Sequence, residues 1–261
     1  MEVVIIGSGN TATVLGTKML QAGHEILQVI SRQEAHAARL ASALNSTYST
    51  GLSAIRREAE LYLVALSDNA LYELGANLSL PGKLVVHTAG TVSKEVLRKV
   101  SAHSGVLYPL QSLRKEILPF PEIPLLIDAH EPEDRVRLAD FARTISASVR
   151  EAGDEERLRL HLAAVVVNNF TNYLYTMAAD FCGREKVDFL LLLPLIKETA
   201  ARLSHYPPRD VQTGPAVRGD EITIQKHLNL LSNHKEMMEF YQLFSKKIEA
   251  FYNNPENPSR L

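Results

Sequence analysis

Two groups of residues have the types and spacing for chemistry. The first is Gly7-Ser8-Gly9-Asn10-Thr11-Ala12, which follows a short apolar run and opens a helical stretch. G-x-G-x-x-A at a strand-to-helix turn suits the phosphates of a dinucleotide. Gly7 allows a tight turn, Gly9 lets backbone approach a pyrophosphate, and Ala12 lets the helix pack close to the sheet. With Ser8, Asn10 and Thr11, whose N–H groups start the helix, these are the phosphate-binding candidates. The plain alternative is a strand–helix turn that uses glycine only for its backbone freedom.

The next apolar run separates two cofactors. An NAD site places Asp or Glu about 20 residues beyond the glycines, on the ribose 2′-hydroxyl. Here the run ends Val29-Ile30-Ser31-Arg32, without an acid. Ser31 can donate to a phosphate and Arg32 can grip one with its planar fork, which favours NADP over NAD. Glu34 is a competing partner for Arg32. Later strand ends face the same crevice: Ser67-Asp68, His87-Thr88-Ala89-Gly90 and Tyr108-Pro109-Leu110-Gln111. Ser67 and His87 join the cofactor-binding candidates. Helix capping for Ser67 and Asp68, and a structural hydrogen bond for His87, are their alternatives.

The second group lies in the C-terminal half. His161, Val165, Asn168, Asn169 and Asn172 fall on one helical stripe, while Leu162, Val166, Phe170, Tyr173, Leu174 and Met177 cover the other faces. A helix this apolar is expected to be buried, so its polar stripe needs partners: substrate, cofactor, or a neighbouring helix. Hydride transfer to C=O or C=N leaves an anion to protonate, which nominates His161 as general acid/base. Asn168 or Asn169 would orient the substrate. Arg218, on the stiff turn Thr213-Gly214-Pro215 to Gly219-Asp220, would clamp a carboxylate unless it only pairs with Asp220. Asp220 is placed to cap the following helix.

The elements that position these residues alternate at first. Strands are expected at 3–6, 26–30, 61–66, 84–87, 106–108 and 125–127, and helices at 10–22, 33–44, 68–77, 93–102 and 132–146. Continuous apolar runs between helices predict a parallel sheet covered on both faces. After residue 152 helices take over, at 158–181, 187–203 with a break near Pro194, 220–231 and 235–252. The last ten residues, with Pro255 and Pro258, read as frayed. The fold class is therefore α/β: a doubly wound, mostly parallel Rossmann sheet over 1–152, then an all-helical domain over 153–261. The interdomain cleft is the expected site.

Composition narrows the functions. Lys and Arg number 28 against 30 Asp and Glu, a net charge of −2, so no basic excess exists for nucleic acid. No apolar run approaches the ~20 residues of a membrane span, and no export signal is visible, so no membrane partner is expected. The single cysteine, Cys182, can form neither an intrachain disulfide nor a Cys-rich metal site. No metal is expected, and a reducing, cytoplasmic setting follows.

The chain also resembles the bacterial Rossmann-like proteins with a C-terminal DUF2520 domain, relatives of 6-phosphogluconate dehydrogenase, β-hydroxyacid dehydrogenase and pyrroline-5-carboxylate reductase. The residues that carry the resemblance are Leu160-His161-Leu162-Ala163-Ala164-Val165 with Asn169-Phe170, Pro194-Leu195-Ile196-Lys197-Glu198-Thr199, Thr213-Gly214-Pro215 with Arg218-Gly219-Asp220, and His227. It implies an NADP-dependent oxidoreductase and a homodimer built through the helical domain. In the related dehydrogenases the equivalent long helix supplies a Lys and an Asn beside the nicotinamide. Here no Lys occurs between Gly153 and Lys186, and His161 and Asn169 are the matched polar residues. Ala89 replaces the serine of a His-x-Ser-Gly segment, and Tyr108-Pro109 stands where many members have His-Pro. Both departures count against proton transfer by those loops. A non-catalytic NADP-binding sensor or regulator, and an enzyme using a deazaflavin with NADP, are the competing readings.

Overall fold

The computed structural model describes residues 1–253, so the frayed end expected around Pro255 and Pro258 lies outside the described residues. The chain divides into two compact units, Met1–Asn169 and a second that begins at Phe170.

The first unit is built on β1 (Glu2–Ile6), β2 (Glu25–Ile30), β3 (Thr47–Ser49), β4 (Leu61–Val64), β5 (Leu84–His87), β6 (Ser104–Pro109), β7 (Leu125–Ala129) and β8 (Val149–Glu151). They form one sheet in the order β3-β2-β1-β4-β5-β6-β7-β8. Pairing is parallel from β3 across to β6, antiparallel between β6 and β7, and parallel again between β7 and β8. Successive residues of β1 feed opposite faces. Val3 and Ile5 pack with α1 (Asn10–Gln21), α2 (Glu34–Ala43) and α4 (Pro132–Ile145), and Val4 and Ile6 with α3 (Asp68–Asn77). All four strand residues are buried, each side chain contributing about 1.5–3 kcal/mol. The strand order reverses between β1 and β4, the switch point where such sheets bind ligands beyond their carboxyl ends.

Three local expectations change. β3 and β8 have only three residues each, too short and too polar to register as apolar runs. The helix expected over 93–102 is a 3-10 turn, Lys94–Leu97. Within it Leu97 is the buried side chain. The long helix expected from 158 is α5 (Asp154–Ala164), a π-helical stretch Val165–Phe170, and α6 (Thr171–Arg184). It is also not buried: Leu162 is 65% and Val167 72% exposed.

The second unit contains α6, α7 (Leu193–Ala201), α8 (Pro215–Arg218), α9 (Glu221–Leu230) and α10 (Lys235–Tyr252). Pro194 falls in the first turn of α7, where its missing N–H costs nothing, and a 3-10 turn, Phe189–Leu192, precedes it. Asp220 caps α9, accepting from the Thr223 N–H at 3.0 Å. His227 Nδ1 meets the Tyr241 hydroxyl at 2.8 Å, a structural contact between α9 and α10. Among the described residues no helix is long and apolar enough to cross a membrane.

Candidate active site

Two cavities open at the carboxyl ends of the strands of the first unit. The larger, about 560 Å³, lies at the switch point and is lined by Gly7, Ser8 and Gly9, by Ser31 and Arg32, and by Ser67, with Ala70 and Leu74 from α3. Gly7 has φ of +125°, and a β-carbon there would lie 2.2 Å from the Ala65 carbonyl oxygen, so only glycine fits. Gly9 has open space around its α-carbon and sits at the N-cap of α1, where no side chain caps the helix and no acid occupies the first turn. The first helical bond runs from Thr13 N–H to Gly9 C=O. The N–H groups of Asn10, Thr11 and Ala12 precede it and remain available to an anion. Ala12 itself is buried against the sheet.

Ser8 Oγ donates to Ser31 Oγ at 2.7 Å, joining the first two strand ends. Arg32 is exposed and makes no ion pair among the described residues. Its expected competitor Glu34 instead accepts from the Tyr48 hydroxyl at 3.3 Å. A glycine cradle, an uncapped helix start and a free guanidinium beside two hydroxyls fit a phosphorylated dinucleotide. Ser67 is the N-cap residue of α3 but makes no side-chain capping bond, and Asp68 accepts from Thr91 Oγ1 at 2.6 Å.

The second cavity, about 540 Å³, is lined by Tyr108, Gln111 and Ser112 after β6 and by His161, Asn168 and Asn169. The structure therefore brings together three of the four expected catalytic residues. The π-helical stretch takes an extra residue per turn, a geometry frequent at functional sites, and both asparagines lie within it. Asn172 does not line this cavity. His161 and Tyr108 rest on the same glycine: a β-carbon at Gly90 would lie 2.6 Å from His161 Cδ2 and 2.8 Å from Tyr108 Cζ. The two ring centroids are 6.2 Å apart at 46°. None of the side chains of Tyr108, His161, Asn168 and Asn169 has a hydrogen-bond partner among the described residues.

Beneath this cavity lies a buried charge that the sequence did not single out. Arg157, four residues before His161 on α5, is 1% exposed. Its Nη2 donates to the Val92 carbonyl at 2.5 Å and to Asp154 Oδ1 at 2.7 Å. Asp154 also accepts from Ser93 Oγ and from the Lys94 N–H. Burial alone would raise Asp154, but the bonds from Ser93, Arg157 and Lys94 outweigh it and hold the carboxyl below its usual range. Together they pin the loop after β5 to the start of α5. Among the described residues Arg157 Nε and Nη1 have no hydrogen-bond partner. Burial raises the Tyr108 hydroxyl above the ordinary tyrosine value, against the pull of the Arg157 charge.

His87 lines neither cavity. It is fully buried at the end of β5, and its Nδ1 accepts the Ala89 N–H at 3.2 Å. Burial, helped by the charge of Arg157, lowers it to about 4, so the ring is neutral. Arg218 is exposed at the end of α8 in the second unit and makes no ion pair there, since Asp220 is engaged in capping.

This fold and the glycine-lined cavity define a dinucleotide-binding architecture. Residues 2–90 match the family described as NADP oxidoreductase, coenzyme F420-dependent, and residues 123–248 match the domain of unknown function DUF2520. The second match starts ahead of β7, within the sheet. No curated protein matches the chain. Among solved structures, the chain is 38% identical to "putative NADP oxidoreductase BF3122" from Bacteroides fragilis, covering 95% of this chain and 97% of that one with a TM-score of 0.85. It therefore belongs to that NADP oxidoreductase family with a C-terminal DUF2520 domain. Protein TM1727 from Thermotoga maritima is similar at 20% identity, 96% and 98% coverage and TM-score 0.73. An imine reductase from Myxococcus stipitatus in complex with NADP+ shares the fold at 14% identity, 97% and 93% coverage and TM-score 0.62.

Proposed function

We propose that the protein moves hydride between NADP(H) and a small polar substrate bearing a C=O or C=N group. The observation that carries this reading is the convergence of four unpartnered polar side chains, Tyr108, His161, Asn168 and Asn169, on one cavity. Tyr108 and His161 are half-buried, where polar groups are normally satisfied, so their open hydrogen-bonding capacity implies a ligand, one that the exposed Asn168 and Asn169 can also reach. Bound NADPH supplies the hydride. The N–H groups at the start of α1 hold its pyrophosphate, and Ser31 and Arg32 hold its 2′-phosphate. His161 serves the proton supply that hydride transfer requires, and the carboxamides of Asn168 and Asn169 orient the substrate. Arg218, exposed on α8 with no ion pair among the described residues, is proposed to bind a carboxylate.

We further propose a homodimer, since Leu162, Val167 and Leu191 are each more than 60% exposed at 65%, 72% and 77%. The buried, unpaired Cys182 fits a reducing cytoplasm. The test of function is NADPH consumption against a panel of small oxo and imino compounds. Turnover of at least one supports an enzyme. Tight NADPH binding with no turnover across the panel supports the sensor reading instead.

A further inference from the structure

We propose that Tyr108 is a second catalytic residue of this site, the group that gives the substrate heteroatom its proton, with His161 replenishing it. This rests on the hydride-transfer reading above. The sequence argued against it, because tyrosine there departs from the His-Pro of many relatives. The structure supplies three reasons in its favour.

The first is position. Tyr108 belongs to β6 and pairs with Leu126 of β7, so its backbone is held by the sheet. Its ring carbon Cζ, which bears the hydroxyl, is pressed against Gly90. Sites carried on strands hold geometry better than sites on loops. The second is chemistry. The side chains of Asn168 and Asn169 have no proton to release near neutral pH, whereas the Tyr108 hydroxyl has one and no partner occupies it.

The third is electrostatics. A buried guanidinium with two unpartnered nitrogens is costly unless an anion answers it. Among the described residues Asp154 is the carboxylate that pairs with Arg157, through Nη2 alone. The phenolate that Tyr108 becomes after giving up its proton is a negative charge that appears only during reaction. The Arg157 charge favours that anion, while burial of the hydroxyl outweighs it at rest and keeps the phenolate transient. Burial keeps the hydroxyl protonated beforehand, the form a donor needs.

The step balances. Hydride from NADPH forms the new C–H bond, and the π pair of C=N or C=O moves to the heteroatom. The heteroatom takes the proton of Tyr108 Oη as the O–H bond breaks. Solvent, through His161, restores the proton, leaving NADP+ and the amine or alcohol.

Two measurements test this. In the first, the panel compound that wild type reduces best is given to Tyr108→Phe. The expected result is a fall in kcat of about 100-fold or more, the usual worth of a positioned acid, with KM and NADPH affinity within about threefold of wild type. In the second, protein labelled at tyrosine 13Cζ is titrated with 2-pyrrolidinone, a lactam that NADPH does not reduce, in the presence of NADP+. The resonance missing from Tyr108→Phe is expected to shift as its hydroxyl donates to the lactam oxygen. A wild type that turns over while Tyr108→Phe keeps more than half its kcat overturns the role of Tyr108 alone. An unmoved Tyr108 resonance at saturating lactam also overturns it. A wild type that neither reduces any panel compound nor binds NADPH overturns the hydride-transfer reading, and the role of Tyr108 with it.

Discussion

His161 stands directly over Gly90: the space a β-carbon would take is filled by His161 Cδ2, at 2.6 Å, and by Tyr108 Cζ, at 2.8 Å. The loop after β5, the end of β6 and the helix α5 thus meet at one α-carbon. Gly90→Ala must push at least one ring aside. Overpacking of this kind costs about 1–3 kcal/mol, to be read as a lower midpoint in urea unfolding. Turnover should fall more steeply than stability, with NADPH affinity unchanged, because the larger cavity is untouched.

Arg32 should decide between the two pyridine nucleotides. Arg32→Ala removes a charge-assisted contact worth about 1.5–3 kcal/mol, roughly 10- to 100-fold in NADPH affinity. NADH affinity should barely change. Calorimetric titration of both nucleotides into both proteins checks the ratio, and equal losses for the two would place the 2′-phosphate elsewhere.

Gly7 tolerates no side chain. Its φ of +125° and the Ala65 carbonyl oxygen 2.2 Å from the missing β-carbon act together. Gly7→Ala should destabilise the sheet unit by about 2 kcal/mol or more and abolish measurable NADPH binding. Thermal unfolding with and without NADPH gives both quantities.

His87 makes stability depend on acid. Its folded value of about 4 lies below the ordinary 6.5, so the unfolded chain takes up a proton before the native one does. Below pH 6.5 the unfolded state is therefore favoured progressively, and the loss levels off near pH 4. The difference corresponds to about 3 kcal/mol. His87→Gln keeps a neutral acceptor for Ala89 and should lose correspondingly less stability between pH 6.5 and 4. Denaturant titrations at both pH values measure this.

Much of the arrangement was legible in the sequence because it is local. The glycine turn announces itself between a strand and a helix, and His161, Asn168 and Asn169 follow simple helical spacing. Asp220 is recognisable as a cap. What was hidden depends on distant partners. Arg157 stands in Asp154-Glu155-Glu156-Arg157, which reads as a solvated first turn, yet the Val92 carbonyl and the loop after β5 draw it inside. His87 occupies a strand end as expected, but only that loop determines that it is covered. The π-helical stretch leaves no mark in Val165–Phe170 that distinguishes it from an α-helix. Gly90 was visible only as one small residue of a loop, because its meaning comes from two rings brought to it by β6 and α5.

On this reading the NADP(H) phosphates rest on the uncapped start of α1, within reach of Arg32. Calorimetric titration of NADPH, NADP+, NADH and NAD+ into the wild-type chain tests it most directly. Saturable binding at about one nucleotide per chain is expected, with the two phosphorylated forms tighter by at least about tenfold. No detectable binding of any of the four would contradict it.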